Sequence, residues 1–273
     1  MLTSALLLQA AAAAPIFAPP LGVPLLVRTE RTESGLANRR FTLEREVRFA
    51  REQGGYRVEV RVLAAHNDAA APLDGMLEAG FASLIGQPVV VHVRADGTLL
   101  AIDDMSALWS RFAEDMGRIA ARRQAGSPAQ RDASARRFST PLRALPPDRQ
   151  RAALGSLATA IIPEEPPEPA GTRRPISLPG TSPFGGAVLL TGTKETRLAG
   201  GATESVIRAT APVAGHGPTA RTGGVRLERR VRTDRVTGLI AASDETTRID
   251  AGSHATLRVV TVRVVAQGSI QPN

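Results

Sequence analysis

Histidines, which often carry acid–base or metal chemistry, number only four in this 273-residue chain and lie far apart, at positions 66, 92, 216 and 254. No two histidines have the HxH or HxxxH spacing that would place both on one metal ion. A hydrolytic site would therefore have to be gathered by folding. The candidates for such a cluster are His92, Asp96, Asp103 and His216. We expect neither a metal site nor a cofactor.

Three short motifs have structural explanations that need no catalysis. Asp103 and Asp104 precede a helical pattern, where a carboxylate can cap the first turn by accepting backbone N–H bonds. The Asp-Gly pair at 96–97 falls between two apolar runs, as a hairpin turn requires. Residues 192–194, Gly-Thr-Lys, lack the GxxxxGK spacing of a phosphate-binding loop, and the chain has no GxSxG nucleophile motif. The sequence therefore predicts a protein that is not an enzyme.

The net charge of +8 comes almost entirely from arginine, because Lys194 is the only lysine. Residues 111–151 hold ten arginines against four acidic residues. Two explanations remain open: a codon preference for arginine on a solvated helical surface, or a surface that binds an anionic envelope component or a protein partner. Nucleic acid is not an expected partner, because the nearby aromatic residues are too few for a stacking platform. The anion-binding candidates are Arg122, Arg123, Arg136 and Arg137.

Residues 1–18 have features of a secretory signal peptide. An apolar run leads into a small-residue zone, where cleavage after Ala12 or Ala13 would be favoured. The positively charged start of such signals is missing, so a buried N-terminal helix is the alternative. The run is too short to span a bilayer, and the chain has no cysteine to form a disulfide or carry a lipid. We expect a periplasmic or secreted protein with no transmembrane span.

Alternation of apolar and charged residues predicts a β-hairpin near the N-terminus. Residues 41–49 and 56–62 each place most of their apolar side chains on one face and charged side chains on the other. Glycines 54 and 55 between them suit a two-residue turn. With that turn, Phe49 would lie opposite Val60. The hairpin therefore predicts a sheet with one apolar face and one solvated face.

Helices are predicted in the middle of the chain. Apolar residues recur every three or four positions from 105 to 119, and Arg122 and Arg123 suit the C-terminal end of that helix. Another helix begins near Pro147 and continues the apolar pattern to Ile162, and a short one is predicted at 72–84. Residues 163–183 contain seven prolines and are expected to form an extended linker or a strap over the surface.

These patterns together predict an α+β fold: a large curved antiparallel β-sheet, half-barrel-like, with amphipathic helices inserted mid-chain and packed on its apolar face. One domain would span residues 22–266, with a helical insertion at about 104–162 and the strap at 163–183. The last strand is apolar on both faces, so we expect it inside the sheet and covered on both sides. Besides the hairpin, the predicted strands are 25–32, 89–93, 100–102, 187–198, 205–213, 225–232, 239–249 and 257–265.

Long amphipathic antiparallel strands, helices inserted between them, and an Asp-x-x-Thr-Gly turn at 234–238 resemble exported half-barrel proteins. These proteins are the broad superfamily of bacterial lipoprotein carriers and related periplasmic lipid-binding proteins, together with secreted families of unknown function. The resemblance covers residues 22–266 at the level of architecture. It implies a curved sheet, export and a lipid-like ligand, and it assigns no residue to ligand contact.

We therefore expect an exported non-enzymatic protein that binds a lipid or another hydrophobic molecule between sheet and helices. If the helices cover the sheet loosely, the gap is a binding cavity; if they cover it tightly, the same residues form a core. The alternative is an envelope interaction module that binds an anionic surface or a protein partner through residues 111–151. The cavity candidates are Phe49, Val58, Val60, Met76, Phe81, Trp109 and Phe112.

Overall fold

A computed structural model describes residues 17–35, 38–68, 80–182, 186–214, 222–251 and 254–266. Within these ranges the protein has the predicted α+β fold, with one antiparallel sheet of eleven strands and three α-helices. The predicted helix at 72–84 lies largely outside the described residues, and Met76 with it. Its described end, Phe81–Leu84, is a 3-10 helix.

The strands and helices have the following bounds. The strands are β1 (Leu25–Ser34), β2 (Arg39–Glu52), β3 (Gly55–Asn67), β4 (Pro88–Arg94), β5 (Leu99–Ile102), β6 (Arg173–Thr181), β7 (Ala187–Ala199), β8 (Ala202–Ala214), β9 (Thr222–Asp234), β10 (Ile240–Ala251) and β11 (His254–Ala266). The helices are α1 (Met105–Arg123), α2 (Pro128–Arg143) and α3 (Pro147–Thr159).

Two antiparallel meanders build the sheet and meet at its centre. The strand order is β5-β4-β3-β2-β1-β11-β10-β9-β8-β7-β6, so β5 and β6 are the two open edges. We call β1–β5 the first meander and β6–β11 the second meander. They join where β1 pairs with β11, and Leu25 lies between Val47 on one side and Ala266 on the other. The helices connect the two edges, and a half-barrel-like curvature is compatible with this order.

The predicted register of the β2–β3 hairpin is wrong by two residues. Glu52 pairs with Gly55, so the turn consists of the two residues between them. Phe49 therefore lies opposite Val58, where the sequence predicted Val60. A shift of two positions preserves the period of a strand, so each side chain stays on its predicted face.

Close packing at Gly55 explains this register. A Cβ atom on Gly55 would collide with the backbone carbonyl oxygen of Val93 in the neighbouring β4. Gly55 is therefore needed as the first residue of β3, and Gly54 supplies the turn with its positive φ of 81°. The two glycines have different structural roles, although the sequence suggested that both form the turn.

Helix α1 confirms the predicted central helix, but its N-terminus is not capped as expected. Asp104 occupies the N-cap with a left-handed backbone, φ 48° and ψ 30°, and its side chain makes no cap hydrogen bond. A capping side chain normally requires extended backbone at this position. The neighbouring Asp103 contacts His92 instead.

Helix α2 lies within the predicted helical insertion at about 104–162, but it was not predicted as a separate helix. Ser127 and Gln130 form a reciprocal capping box at its start, with Pro128 in the first turn. Phe138 and Leu142 pack against the core while most of its other side chains are exposed. With so narrow an apolar face, the helical periodicity is weak, and the capping box was the only strong local signal.

The strap prediction is partly wrong, because residues 173–181 form the edge strand β6. Pro175 and Pro179 lie within it, which an edge strand tolerates because one side of its backbone needs no partner. Residues 163–172 remain outside regular secondary structure, and we call this segment the strap. Strand β11 lies inside the sheet as predicted, but it is not covered on both faces, since Leu257 is 40% exposed and Val259 is half-buried.

The main core lies between the first meander and the helices. We call the sheet face that carries α1 and α3 the inner face. Buried side chains of β1–β4 pack there against Leu108 and Phe112 of α1 and Leu154 and Leu157 of α3. The end of α3 is fixed to the second meander by the backbone of Ile161, whose carbonyl accepts a 2.8 Å hydrogen bond from the Ile240 N–H.

Candidate functional site

The residues expected to line a cavity come together as a tightly packed core. Phe49, Val58, Val60 and Phe112 are each 0% exposed and Trp109 is 3% exposed. Phe81 is partly buried against the same cluster, with its ring centroid 5.6 Å from that of Phe112. The helices therefore cover this half of the inner face tightly, and the residues expected to line a cavity form a core instead.

Specific hydrogen bonds hold the helices on this core. The Trp109 indole N–H donates to the Leu142 carbonyl at 2.8 Å, which joins α1 to α2. Arg45 is 1% exposed, and its Nε donates to the Leu157 carbonyl of α3 at 2.6 Å while Nη1 donates to Thr29 Oγ1 at 2.9 Å. Burial away from water lowers the pKa of Arg45 to about 10. These contacts seal the first meander beneath its helices.

A cavity of about 240 Å³ lies elsewhere, on the inner face of the second meander. One end is bounded by the strap, and strands β6–β10 form its floor. Its apolar lining from the strands consists of Ile176, Leu178, Ile207, Leu227, Val231 and Ile240, and the strap adds Pro163 and Pro167. Its charged lining consists of Glu164, Glu165, Arg174, Lys194, Arg229 and Glu245. The cavity is therefore amphipathic, and of the predicted cavity residues that the structure describes, none lines it.

One row of mostly charged residues crosses the floor of this cavity. Arg174 lies opposite Lys194, Lys194 opposite Ile207, Ile207 opposite Arg229, and Arg229 opposite Glu245. Adjacent strands are about 4.8 Å apart, so the three cations span roughly 14 Å of backbone. Their side chains are long enough to approach one another over the row.

Apolar residues adjoin the charged row on one side. The next row runs from Ile176 through Gly192 and Ala209 to Leu227. This row is part of a second apolar cluster, whose buried members are Leu190, Ala209, Ala211 and Val225. The inner face of the second meander therefore changes from charged to apolar along the strand direction.

The strap is fixed to this row by ion pairs. Glu168 Oε1 accepts from Arg174 Nε at 2.7 Å and lies 3.1 Å from Lys194 Nζ. Glu165 Oε2 lies 3.3 Å from Arg174 Nη2 and from Lys194 Nζ. The hydrogen bond from Arg174 is the largest cause that lowers the pKa of Glu168. Two of the three cations in the row are thus already neutralised.

The third cation, Arg229, is half-buried and has no ion pair or hydrogen bond to the described part of the chain. Its cross-strand neighbour Glu245 lies 3.7 Å from Arg258 instead. Sequence reasoning missed Arg229, although a signal existed: it occupies the same parity in β9 as Val225, Leu227 and Val231.

A second polar cluster lies on the outer face, around His92. Its Nδ1 is 2.6 Å from Glu52 Oε2 and its Nε2 is 2.9 Å from Asp103 Oδ1. The hydrogen bond to Glu52, and to a smaller extent the one to Asp103, raise the pKa of His92 against the opposing effect of burial. The imidazolium form can donate to both carboxylates, and in that form the ring has no lone pair with which to act as a base.

Of the four residues predicted as a possible hydrolytic cluster, only His92 and Asp103 are shown in contact with each other. Asp96 accepts a hydrogen bond from the Thr98 N–H within the β4–β5 turn, and that bond is the largest cause that lowers its pKa. His216 lies outside the described residues. The described arrangement at His92 is therefore an exposed charge cluster that joins β2, β4 and the start of α1.

The anion-binding candidates lie on the helical hairpin formed by α1 and α2. Arg122, Arg136 and Arg137 are exposed, and no carboxylate of the described residues lies within 4.0 Å of them. Arg118 and Arg143, by contrast, pair with Asp115 and Glu114. The hairpin therefore presents cationic groups that its own described residues do not neutralise.

The described structure begins within the predicted signal peptide. Phe17 is 9% exposed and packs edge-to-face on Tyr56, with ring centroids 5.3 Å apart. Its carbonyl accepts a 3.2 Å hydrogen bond from the Tyr56 hydroxyl. Cleavage after Ala12 or Ala13 would keep this contact, whereas removal of all eighteen residues would lose it.

No protein-family model matches the chain, and no curated protein matches it significantly. None of the described helices has the length and apolar character needed to cross a bilayer. Among the described residues, no three histidine, aspartate or glutamate side chains are grouped as a metal site would require.

Proposed function

We propose that this protein is an exported, non-catalytic binding protein that holds an aliphatic molecule in the cavity of the second meander. The observation that carries the proposal is the contrast between the two halves of the inner face. The first meander is sealed by helices, whereas the second retains a cavity of about 240 Å³ to which its strands contribute six apolar residues. Pockets for small molecules are commonly lined in this way, by apolar side chains with a few placed polar groups.

The size and surroundings of the cavity also support an aliphatic ligand. Small-molecule pockets usually measure about 300–1,000 Å³, so this cavity is slightly smaller than that range and suits a headgroup with part of a chain. Aliphatic residues line it, and none of its described lining residues is aromatic. Export and a lipid-like ligand are also what the resemblance to half-barrel carriers implies.

Filling the cavity tests this proposal. Leu227→Trp would place an indole in the cavity, and Arg226→Trp would place the same ring on the opposite face of β9. We expect Leu227→Trp to weaken uptake of the neutral fluorescent probe N-phenyl-1-naphthylamine by at least about tenfold, or about 1.4 kcal/mol. Arg226→Trp should bind the probe as the unmodified full chain does.

Native mass spectrometry of protein purified from its own envelope provides the second measurement. We expect a co-purified lipid on the unmodified chain and less of it on Leu227→Trp. The proposal is wrong if the unmodified chain carries no lipid and takes up no probe. It is also wrong if both tryptophan variants bind the probe equally well.

A second candidate function is anionic docking through the hairpin of α1 and α2. The observation that favours it is the set of exposed arginines without described carboxylate partners. Helix α2 rests on α1 and has a largely exposed outer side, so a flat anionic surface could approach it. Binding of this kind is electrostatic and should weaken as salt is raised.

Charge removal tests the docking function. We expect a variant with Arg122, Arg123, Arg136 and Arg137 changed to glutamine to lose salt-sensitive sedimentation with anionic liposomes. The matched control removes the same charge from the second meander, by changing Arg226, Arg230, Arg232 and Arg235 to glutamine. Equal sedimentation of the two variants would show that net charge, and not the helical hairpin, determines binding.

A further inference from the structure

We infer that the molecule held in the second meander is an amphiphile with an anionic headgroup, and that Arg229 binds this headgroup. The inference rests on the proposed binding function and specifies its ligand. It assigns the aliphatic chain to the apolar side of the cavity. The shared headgroup chemistry is a carboxylate or phosphate on a lipid chain.

The position of Arg229 is the first argument. The residue lies on the inner face of β9, in line with Leu227 and Val231, and all three line the cavity. Its sequence neighbour Arg230 points to the outer face and is exposed. A guanidinium is thus placed on an otherwise apolar strand face, where a solvated arginine would more readily occupy the other parity.

The lack of a described partner is the second argument. Arg174 and Lys194 are held by the strap glutamates, and Glu245 lies 3.7 Å from Arg258. Within the described ranges of the chain, Arg229 is therefore the cation of the row without a carboxylate partner. A half-buried charge is unfavourable unless an opposite charge or hydrogen-bond acceptors compensate it. A carboxylate or phosphate can accept two parallel N–H bonds from one guanidinium, which makes it the best-matched ligand group.

The polarity of the floor is the third argument. The charged row borders an apolar row that includes Ile176 and Leu227, and Leu178 lies one step further along β6. A chain that extends from a headgroup on Arg229 in that direction runs toward the aliphatic side chains of Leu227, Ile176 and Leu178. Charge and apolar surface therefore lie in the order that a lipid acid requires.

Three ligands with one chain length test the inference. Myristate, myristyl alcohol and tetradecyltrimethylammonium are used to displace N-phenyl-1-naphthylamine from the full-length protein. We expect myristate to displace the probe at a concentration about tenfold lower than the alcohol, because charge-assisted hydrogen bonds to Arg229 are added to the same chain contacts. The cationic ligand should be the weakest of the three.

Substitution of Arg229 or of its neighbour Arg230 tests which arginine causes the preference for myristate over the alcohol. Arg229→Gln should weaken myristate to the level of the alcohol and leave the alcohol unchanged, whereas Arg230→Gln should alter neither. Arg229→Lys keeps the charge and should retain part of the preference for myristate. Circular dichroism of each variant confirms that the fold is intact, and the unchanged affinity for the alcohol is an internal control.

The outcomes separate the headgroup assignment from the binding function. If the unmodified protein binds the alcohol and myristate equally, or if Arg229→Gln and Arg230→Gln have equal effects, the headgroup assignment is wrong while aliphatic binding stands. If none of the three ligands displaces the probe, both are wrong. Displacement by inorganic phosphate alone would identify an anion site without a chain, and myristoyl lysophosphatidate compared with myristate distinguishes phosphate from carboxylate recognition.

Discussion

Arg45 and Arg229 both lie on the inner face of their strands, at the parity of apolar neighbours, but they have different environments. Arg45 in β2 is 1% exposed and donates to the Leu157 carbonyl and to Thr29. Arg229 in β9 is half-buried and has no described partner. The parity of each residue could be read from the sequence, but its partners depend on which elements cover that part of the sheet. The strand face on which each arginine lies was therefore predictable from the sequence, whereas its interaction partners were not.

His92 provides a residue-scale prediction with a defined pH dependence. Its hydrogen bonds to Glu52 and Asp103 raise its pKa in the folded protein above the ordinary value of about 6.5. The stability gained from a raised pKa is fully present below about pH 6.5 and is lost as the pH rises through the folded-state value. Both carboxylates are largely exposed, so we expect the gain to be below about 1 kcal/mol.

Urea unfolding of the His92→Gln variant measures this gain. We expect the unmodified protein to exceed His92→Gln in free energy of unfolding at about pH 5.5, and the difference to shrink by about pH 8.5. His66→Gln, the loss of an exposed imidazole outside this cluster, provides the baseline. A difference that stays constant or grows as the pH rises would contradict the assigned ion pairs.

Among the secondary-structure elements, most strands could be predicted from the sequence, whereas strand β6 and helix α2 could not. The alternation of apolar and polar residues located ten of the eleven described strands, because apolar residues recur at every second position of a strand with one buried face. The missing strand, β6, contains Pro175 and Pro179 and pairs on one side only. Helix α2 was missed for a related reason, since it packs against one other helix and needs few apolar residues.

Gly192 provides an element-scale prediction about the pairing of β7 with β8. A Cβ atom on Gly192 would collide with the Arg208 carbonyl oxygen, which is backbone and has little freedom to move. We expect Gly192→Ala to lower the free energy of unfolding by about 1–3 kcal/mol, measured by chemical denaturation.

Gly224 in β9 is the matched control for Gly192. Its added Cβ would meet its nearest neighbour, the Ala211 carbonyl oxygen, at 3.6 Å, which is ordinary contact. Gly224→Ala should therefore change the free energy of unfolding by no more than about 0.5 kcal/mol. Equal losses in the two variants would show that close approach of β8 is not the reason for glycine at position 192.

At the scale of the whole molecule, the sequence predicted the architecture but not the location of the cavity. Apolar periodicity correctly indicated that the Trp109 helix packs on the face bearing Phe49 and Val60. Whether such an interface is sealed depends on the fit of side chains from β1–β4, α1 and α3, which periodicity does not measure. The cavity of the second meander depends on the strand order and on where the strap lies over the sheet. The prolines predicted a strap, but no sequence pattern predicted its position or the strand order.

The strand order also has a consequence for folding. Every neighbouring pair within a meander is joined directly along the chain, so each meander can form from local hairpins. The pairing of β1 with β11 joins residues more than 200 positions apart, such as Leu25 and Ala266. Contacts of such long range form slowly, because a long loop must close before they contribute any stability. The centre of the sheet is thus completed last, and until then two hydrogen-bonding strand edges stay open to other chains.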